Sequence, residues 1–344
     1  MQIGIVGATG YGGVELFRLL YSHPGVENIN LYSSTQHGEF FQEIYTHVNN
    51  ENYTLKDLNP DEMKQQLDII FLATPAGVSS ELTPQLIGGK GKVIDLSGDL
   101  RLKDRELYTT WYKNEAASED VLEQSVYGLP EWNKEAIQSA GIIANPGCYP
   151  TATLIGLGPV VSRELADPSR IIIDAKSGVS GAGKKASTVT HFANTQENFR
   201  IYKVNQHQHI PEIEQQLMHW DTTAEPVTFS THLVPMTRGI MSTIYVDLKG
   251  DYSLNELVQL YEKTYEKEPF VRIRKAGEFP CTRDVYASNY CDIGLALDER
   301  TSRLTIVSVI DNLMKGAASQ AVQNMNLVLG MEETTGLHHI PVYP

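Results

Sequence analysis

Short apolar runs, separated by glycine turns and amphipathic stretches, dominate the first half of the chain. Continuous apolar runs are typical of strands that are buried on both faces of a parallel sheet. We predict strands at 3–6, 29–32, 68–73, 92–96 and 141–144, a helix at 14–20, and a polar covering segment at 103–140. The pattern therefore indicates an α/β domain.

The second half has longer runs that are β-branched and partly alternating. We predict strands at 171–175, 227–234, 240–248 and 303–310. Such runs are typical of a mixed or antiparallel sheet with one covered face. A helix at 254–267 is expected to form part of that cover, and a last helix at about 315–329 is expected to pack back on the N-terminal domain.

The chain has 344 residues, enough for two domains, and a formal net charge of −14. This acidic balance argues against nucleic acid or an anionic membrane as partner, because both require a basic face. Three cysteines without CxxC spacing indicate a reducing compartment and no metal site. The N-terminus has neither a basic segment nor a long apolar run, so we expect a cytoplasmic protein without signal peptide or membrane span.

A glycine turn joins the first predicted strand to the first predicted helix. In this context glycines let backbone N–H groups approach a pyrophosphate at the helix N-terminus. The spacing is GxxGxxG, and strand, turn and helix in that order predict a dinucleotide-binding domain. The candidate cofactor residues here are Gly7, Thr9, Gly10, Tyr11, Gly12 and Gly13.

Small hydroxyl side chains follow the second predicted strand, at Ser33 and Ser34. An NAD-selective fold places an acidic residue near this position to bind the ribose 2′-OH. A serine can donate to a 2′-phosphate that a carboxylate would repel, so the sequence favours NADP. The alternative is that these serines only start a turn.

Cys148 lies between an apolar strand and an apolar helix, in the run NPGCYPTA at 145–152. Pro150 fits the first helical position, so the thiol is expected at the helix N-terminus. A helix start is one environment that lowers a cysteine pKa and makes the thiolate a nucleophile. The alternative is a small buried hydrophobic residue, the usual state of a free cysteine.

Two histidines, His207 and His209, lie just before a helix that Pro211 opens. They form a candidate acid–base pair for a thiolate mechanism, and Glu212 can orient an imidazole. Metal binding is the rival interpretation, but no third ligand has suitable spacing. In an extended segment the two side chains would point to opposite faces. The spacing does not choose between them; we prefer His207, because His209 adjoins the helix start.

Several cations and polar loops are candidates for binding an anion. The loop SGVSGAGKK at 177–185 combines backbone amides with Lys184 and Lys185, and its Ser180 and Gly181 are candidate cofactor contacts. Arg238 lies in a predicted hairpin between two long strands. Arg101 is either an ion-pair partner for Asp99 or a substrate ligand. Asn312 precedes the last helix and is placed to reach the cofactor.

The motifs GATGYGG at 7–13, NPGCYPTA at 145–152, SGVSGAGKK at 177–185, HQHIPEIEQ at 207–215 and VPMTRGI at 234–240 together resemble the N-acetyl-gamma-glutamyl-phosphate reductase family. So does DNLMKGAASQAVQNMNLVLG at 311–330. The resemblance implies an α/β Rossmann dinucleotide-binding domain at 1–147 and 313–344. It also implies an α+β mixed-sheet catalytic and oligomerisation domain at 148–312.

The same resemblance implies NADPH-dependent reduction of N-acetyl-glutamyl 5-phosphate to the 5-semialdehyde in arginine biosynthesis. By this resemblance Cys148 would be the nucleophile, and the acid–base histidine would lie in 207–209. The cations available for the phosphate and the α-carboxylate of the anionic acyl phosphate substrate are Arg101, Lys184, Lys185 and Arg238. Of these we prefer Arg238. A homo-oligomer, a dimer or a tetramer, is expected.

Two other functions fit parts of the sequence. An aspartate-semialdehyde dehydrogenase-type enzyme would share the cofactor and the thiolate but reduce another acyl phosphate; the Gly-Cys-Tyr-Pro run favours the acetylglutamyl enzyme. A non-catalytic NADP-binding regulator would need no nucleophile, so the cysteine, the histidine pair and the cation loop argue against it.

Overall fold

The fold is that of a computed structural model, which describes residues 1–48 and 52–343. The chain forms two compact units. The first unit comprises Met1–Pro146 and Ala317–His338, and the second comprises Gly147–Gly316 and the tail that begins at His339.

Strands of the described chain are β1 (Gln2–Val6), β2 (Asn28–Tyr32), β3 (Ile69–Leu72), β4 (Lys92–Asp95), β5 (Ser125–Tyr127), β6 (Ile142–Ala144), β7 (Ala166–Gly178), β8 (Arg200–Tyr202), β9 (Thr228–Val234), β10 (Ile240–Leu248), β11 (Val271–Ile273), β12 (Cys291–Asp298) and β13 (Arg303–Ile310). Helices are α1 (Tyr11–Tyr21), α2 (Phe41–Ile44), α3 (Pro60–Gln66), α4 (Val78–Leu86), α5 (Arg105–Tyr112), α6 (Glu119–Gln124), α7 (Pro130–Ser139), α8 (Cys148–Val161), α9 (Phe192–Thr195), α10 (Ile210–Trp220), α11 (Leu254–Thr264) and α12 (Ser319–Val328). Two 3-10 turns, Val179–Ala182 and Thr282–Val285, and a π-helical turn, Met314–Ala318, complete the regular structure of these residues.

The sheet of the first unit is parallel throughout the described residues, in the order β2-β1-β3-β4-β6-β5. Its strands are buried, which explains their continuous apolar sequence. Helix α12 packs on α1, α7 and β4. The predicted Rossmann-type α/β architecture is confirmed.

The polar segment 103–140 was predicted only as a covering segment, and this prediction was incomplete. It contains α5, α6 and α7, and its strand β5 pairs in parallel with β6 at the edge of the sheet. Ser125–Tyr127 is too short for a periodic pattern to identify.

The second unit has a mixed sheet, as predicted, in the order β11-β12-β13-β10-β7-β9-β8. Helix α8 packs against β7, β10 and β13. Its side chains are buried all round from Tyr149 to Val161, as expected of a core helix. The short strands β8 and β11 and the longer β12 were not among the predicted strands.

The opposite face of this sheet is partly exposed. Side chains alternate between buried and partly exposed along β9 and β10. Ile172 of β7 is 43% exposed and pairs with Tyr245 of β10. This face therefore presents apolar and polar side chains together.

The last helix was predicted as one continuous element at 315–329. Its first turn is instead π-helical, and Gly316 N–H donates to Asp311 O at 3.0 Å. The π turn brings Gly316 against the thiol residue, since a Cβ at Gly316 would lie 2.8 Å from Cys148 Cβ. π-helical turns frequently occur at functional sites.

The tail beyond His338 was assigned to the N-terminal domain in the predicted boundaries. In the structure it belongs to the second unit, where Val342 N–H donates to Tyr286 O at 3.0 Å. Among the helices of residues 1–48 and 52–343, none has the length and apolar character needed to cross a membrane.

Candidate active site

Cys148 is the first residue of α8 and is partly exposed. Gly147 is the N-cap, and its carbonyl oxygen accepts from Thr151 N and from Thr151 Oγ1, both at 2.9 Å. The thiol therefore lies at the N-terminus of a buried helix, where backbone N–H groups favour negative charge. Pro150 is the third helical residue rather than the first. Proline is tolerated there as well, because the backbone N–H groups of the first turn have no acceptor within the helix.

Glu212 fixes the backbone that precedes the thiol. Its Oε1 accepts from Gly147 N at 2.8 Å, and its side chain is fully buried in the first turn of α10. The sequence suggested that Glu212 orients an imidazole. The structure gives this carboxylate a contact with the loop that carries Cys148.

His209 lies next to Gly147. An ideal Cβ built on Gly147 would be 2.5 Å from His209 Nε2, so only glycine allows the imidazole this close to the residue that precedes Cys148. His209 is buried and is the N-cap residue of α10. Its Nε2 therefore lies beside the start of α8.

The segment 207–209 is a turn, so the expectation of opposite faces for an extended segment does not apply. Ile210 N–H donates to His207 O at 3.0 Å, and His209 N–H donates to His207 Nδ1 at 3.2 Å. The two imidazole centroids are 4.6 Å apart. Both rings thus lie in one cluster, and His207 supports the backbone of His209.

His207 is enclosed by aromatic rings. Tyr149, Tyr202 and Phe229 lie edge-on to its imidazole, with centroids between 5.2 and 5.8 Å away. Burial, together with the positive charge of Lys203, lowers the pKa of His207 to about 3. His207 is therefore neutral near pH 7, with Nδ1 acting as an acceptor. This environment suits a supporting residue better than a proton donor, contrary to our preference for His207.

Tyr149, which follows the cysteine, has a buried hydroxyl group. Its oxygen lies 2.9 Å from Tyr202 Oη. Burial, and then the neighbouring Tyr202 hydroxyl, raises the pKa of Tyr149 far above its ordinary value. The pair joins strand β8 to the start of α8.

Asn312 connects two loops of the second unit. Its Oδ1 accepts from Gly239 N at 2.7 Å, and its Nδ2 donates to Ser180 Oγ at 2.9 Å. The same loops share backbone bonds, including Gly178 N–H to Gly239 O at 2.9 Å. Asn312 is only 2% exposed, and its side-chain amide forms these hydrogen bonds within the protein. Its contact with the cofactor stays a prediction, as does that of Ser180.

Arg238 was predicted in a hairpin, and this was wrong because β9 and β10 are not neighbours. Strand β7 lies between them, parallel to β9 and antiparallel to β10. Arg238 is partly buried, with Nη1 3.7 Å from Asp311 Oδ2. Asp311 is fully buried and accepts from Ala287 N at 2.8 Å and Leu313 N at 2.9 Å. Burial raises the pKa of Asp311, while Arg238 opposes that shift.

Gly181, Lys184 and Lys185 are exposed. Gly181 lies in the 3-10 turn that carries Ser180, and the lysines follow Gly183, whose φ is +82°. The structure thus brings Cys148, His207, His209 and Glu212 together. It places the two lysines on a separate exposed segment of the same unit.

The nucleotide loop of the first unit fits a pyrophosphate. Gly7 has φ +79°, and a side chain there would collide with the carbonyl oxygen of Ala73. Gly10 is the N-cap of α1 and, in the described structure, no N-cap side chain accepts a hydrogen bond from the first turn. That turn begins at Tyr11 and contains no acidic residue. The N–H groups at the start of α1 are thus suited to an anion. Thr9 precedes this cap, and Gly12 and Gly13 continue the turn.

The two serines after β2 have different surroundings. Ser33 is buried, and its Oγ accepts from Gln36 N at 3.2 Å, so this hydroxyl stabilises a turn. Ser34 is exposed. Ser34 is therefore the better candidate for the 2′-phosphate.

Arg101 is buried in the first unit and holds the ends of two strands together. It donates from Nε to Asn145 O at 2.8 Å and from Nη2 to Leu96 O at 3.0 Å. Asp99 instead accepts from Gly77 N at 2.8 Å and from Tyr108 Oη at 2.6 Å. A substrate contact from Arg101 stays a prediction.

Residues 2–140 match the family described as semialdehyde dehydrogenase, NAD binding domain, and residues 148–312 match semialdehyde dehydrogenase, dimerisation domain. An N-acetyl-gamma-glutamyl-phosphate reductase of Geobacillus sp. (strain WCH70) is 58% identical over 345 residues, with all of both chains covered. The same-named protein of Geobacillus stearothermophilus is 57% identical, again with complete coverage.

The chain belongs to the N-acetyl-gamma-glutamyl-phosphate reductase family. The resemblance noted in the motifs is thereby confirmed. Solved structures support the fold of the reductase. A crystal structure of aspartate semialdehyde dehydrogenase II complexed with ASA from Vibrio cholerae has a TM-score of 0.72 at 20% identity, covering 96% of this chain and 98% of that one. Aspartate semialdehyde dehydrogenase with NADP from Candida albicans has a TM-score of 0.67 at 13% identity, with 95% and 98% covered.

Sequence reasoning missed several residues that shape the site of this reductase. Tyr202 and Lys203 adjoin His207, but Tyr202 ends strand β8, which has only three residues, and Lys203 lies in the turn that follows it. Asp311 adjoins Arg238, and only its position beside the candidate Asn312 would have suggested it. In the described part of the chain, no cluster of three or more His, Cys, Asp or Glu side chains is arranged to hold a metal.

Proposed function

We propose that this chain catalyses the NADPH-dependent reduction of N-acetyl-glutamyl 5-phosphate to N-acetyl-glutamate 5-semialdehyde and phosphate, in arginine biosynthesis. The observation that carries the proposal is the joint position of Cys148 and His209. The thiol begins a buried helix, and the imidazole lies against the preceding glycine. Relatives that cover the whole chain at 57% and 58% identity bear the name of this reductase.

Cys148 acts as nucleophile. Its Sγ attacks the acyl carbon, the bond from that carbon to the phosphate oxygen breaks, and a thioester forms on Cys148. The helix N-terminus and the loop held by Glu212 keep the sulfur in place during this step.

His209 acts as the general acid and base. It takes the thiol proton and returns a proton to the substrate oxygen as the thioester is reduced. NADPH, when bound, supplies the hydride for that reduction. His209 then takes that proton back from the hydroxyl group as the carbon–sulfur bond breaks, which releases the aldehyde and the Cys148 thiolate.

The glycine loop of the first unit is the proposed site for the cofactor pyrophosphate. Its glycines and the N-terminus of α1, whose N-cap Gly10 makes no side-chain hydrogen bond, fit that group. Ser34 is the proposed donor to the 2′-phosphate. Arg238 is the proposed ligand for the substrate carboxylate or phosphate, because Asp311 and the adjacent Gly239 fix its position.

A homo-oligomer in the cytoplasm is the proposed state. The partly exposed sheet face around Ile172 and Tyr245 offers an extended surface for a second copy. The description of the family that matches residues 148–312 names dimerisation. Cys148, Cys281 and Cys291 are all free, in keeping with a reducing compartment.

The proposal is tested by oxidation of NADPH with N-acetylglutamyl phosphate, compared with aspartyl phosphate, and with NADH in place of NADPH. We expect a clear preference for the acetylated substrate and for NADPH. Preference for aspartyl phosphate would assign the chain to the aspartate-semialdehyde reaction. Equal use of NADH would overturn the role of Ser34. Absence of turnover with either substrate, while NADPH still binds, would favour a regulator.

A further inference from the structure

Lys203 carries an uncompensated positive charge beside the histidine cluster. Its Nζ donates to the neutral amide oxygen of Gln208 at 2.7 Å. Among the described residues, no carboxylate lies within ion-pairing distance of this ammonium. Lys203 reaches solvent, yet the surrounding protein lowers its pKa by desolvation. The Lys203 side chain is exposed, so its ammonium is open to an anion from solution.

The backbone holds this lysine in an uncommon conformation. Lys203 has φ +47° and Asn205 has φ +55°, so both lie in the left-handed region that non-glycine residues rarely adopt. Gln206 N–H donates to Lys203 O at 2.9 Å and closes the turn. This turn brings the chain back from β8, so that Lys203 meets Gln208. Strained conformations of this kind concentrate at functional sites.

The turn is adjacent to the proposed nucleophile. Tyr202, which precedes Lys203, shares a hydroxyl contact of 2.9 Å with Tyr149, the residue after Cys148. Gln208, which holds the ammonium, lies between His207 and His209 in the chain. The charge of Lys203 also reaches His207, where it lowers the imidazole pKa further. The ammonium therefore contacts Gln208 and lies near enough to His207 for its charge to act on that imidazole.

We propose that Lys203, held in place by Gln208, binds an oxyanion of the substrate beside Cys148. The inference rests on the proposed function, whose substrate carries two such groups, a carboxylate and a phosphate. A lysine that is bonded to an amide keeps its full charge for the ligand, whereas a salt bridge would cancel it. The oxyanion would supply the missing counter-charge.

When the reaction is run in the oxidative direction, the two oxyanions belong to two different substrates. Inorganic phosphate and the N-acetylated semialdehyde are then independent substrates, each with its own KM. We expect Lys203→Met to raise one of these KM values about tenfold or more, since a charge-assisted contact is lost, with kcat changed less than about threefold. A higher KM for phosphate would show that Lys203 binds the phosphate leaving group. A higher KM for the semialdehyde would show that it binds the carboxylate.

Three further variants make the result specific. Lys203→Arg should keep both KM values within about threefold, because the charge remains. Gln208→Glu should have the same effect as Lys203→Met, because the new carboxylate would form an ion pair with the Lys203 ammonium and neutralise its charge. Lys263→Met, at an exposed lysine of α11, should behave as wild type. Unchanged KM values in Lys203→Met, or a fall in kcat alone, would overturn the inference. Failure of the proposed function itself would appear separately, as absent turnover in the wild-type chain.

Discussion

At the scale of single residues, the site depends on glycines that let side chains approach Cys148. Gly147 allows the His209 imidazole to lie against the start of α8, and Gly316 allows the π turn to contact the Cys148 side chain. Larger side chains at either position would move the backbone that fixes the thiol.

The first prediction is that Cys148 is the only essential thiol. Cys281 is exposed and should also be alkylated, whereas Cys291 is buried, with Sγ 3.4 Å from Ser308 Oγ. Cys148→Ala should abolish turnover, and Cys281→Ala should leave it unchanged. In the Cys281→Ala background, one equivalent of alkylating reagent should inactivate the enzyme, and substrate should protect it. Activity that persists in Cys148→Ala would exclude the thioester.

The second prediction concerns the unequal roles of the two histidines. Loss of the acid–base group in His209→Ala should lower kcat by roughly 10²–10⁴, with KM little changed. His207→Ala should lower kcat less, because it only removes the acceptor for His209 N–H and the aromatic packing. His207→Gln, which keeps an acceptor, should recover part of the loss. A larger kcat loss in His207→Ala than in His209→Ala would reverse the assignment.

The sequence located the thiol correctly because strand, turn and helix are local and strongly patterned around Cys148. It did not predict the surroundings of the two histidines, because the left-handed turn at Lys203 and Asn205 has no sequence signal when the residue is lysine. The choice between His207 and His209 stays a prediction. The aromatic enclosure of His207 also depends on Tyr202 and Phe229, which lie on two other strands. Contacts between distant segments of this kind cannot be derived from spacing.

At the scale of elements, the loops that follow β7, β9 and β13 are tied together through Asn312. The hairpin predicted for Arg238 failed because strand order is a long-range property: β7 is inserted between β9 and β10. Its carboxyl end places residues 178–180 against the loop 236–239 through backbone bonds. The position of Arg238 therefore depends on three separate segments.

The third prediction is that Asn312 positions these loops. Asn312→Ala removes both buried hydrogen bonds, so the free energy of unfolding should fall by about 1–3 kcal/mol, and KM for the acyl phosphate should rise because Gly239 and the adjacent Arg238 shift. Ser180→Ala, which removes only one partner, should show a smaller effect in both measurements. A rise in KM for NADPH alone, at unchanged stability, would instead support direct cofactor binding by Asn312.

At the scale of the whole molecule, the two units differ in how much of their structure the sequence predicted. The parallel sheet of the first unit was predicted from buried runs, apart from the short edge strand β5. The partly exposed face in the second unit was harder to interpret, because a half-exposed strand has the same alternation whether it meets water or another subunit. Two predictions concern the molecule as a whole.

The fourth prediction is that this face joins two copies of the chain. Ile172→Glu places a charge on the face, so sedimentation should show a shift toward monomer, with the circular dichroism spectrum retained. Tyr21→Glu, at a residue of the first unit that is 55% exposed, is the matched control and should leave the assembly intact. An unchanged oligomer in Ile172→Glu, or a monomeric wild type, would exclude this surface.

The fifth prediction is that stability falls with acid through one buried histidine in each unit. Burial lowers the pKa of His207 to about 3, and burial lowers that of His23 in spite of its hydrogen bond to Asn326. The folded state then binds fewer protons than the unfolded state below pH 6.5. Stability therefore does not depend on these two groups above that pH and decreases as the pH falls below it. For His207 the decrease continues to about pH 3, with a slope of up to about 1.4 kcal/mol per pH unit. Denaturant unfolding at a series of pH values should give a shallower slope for His207→Gln than for wild type. An identical slope in His207→Gln would show that His207 is not neutral in the folded enzyme.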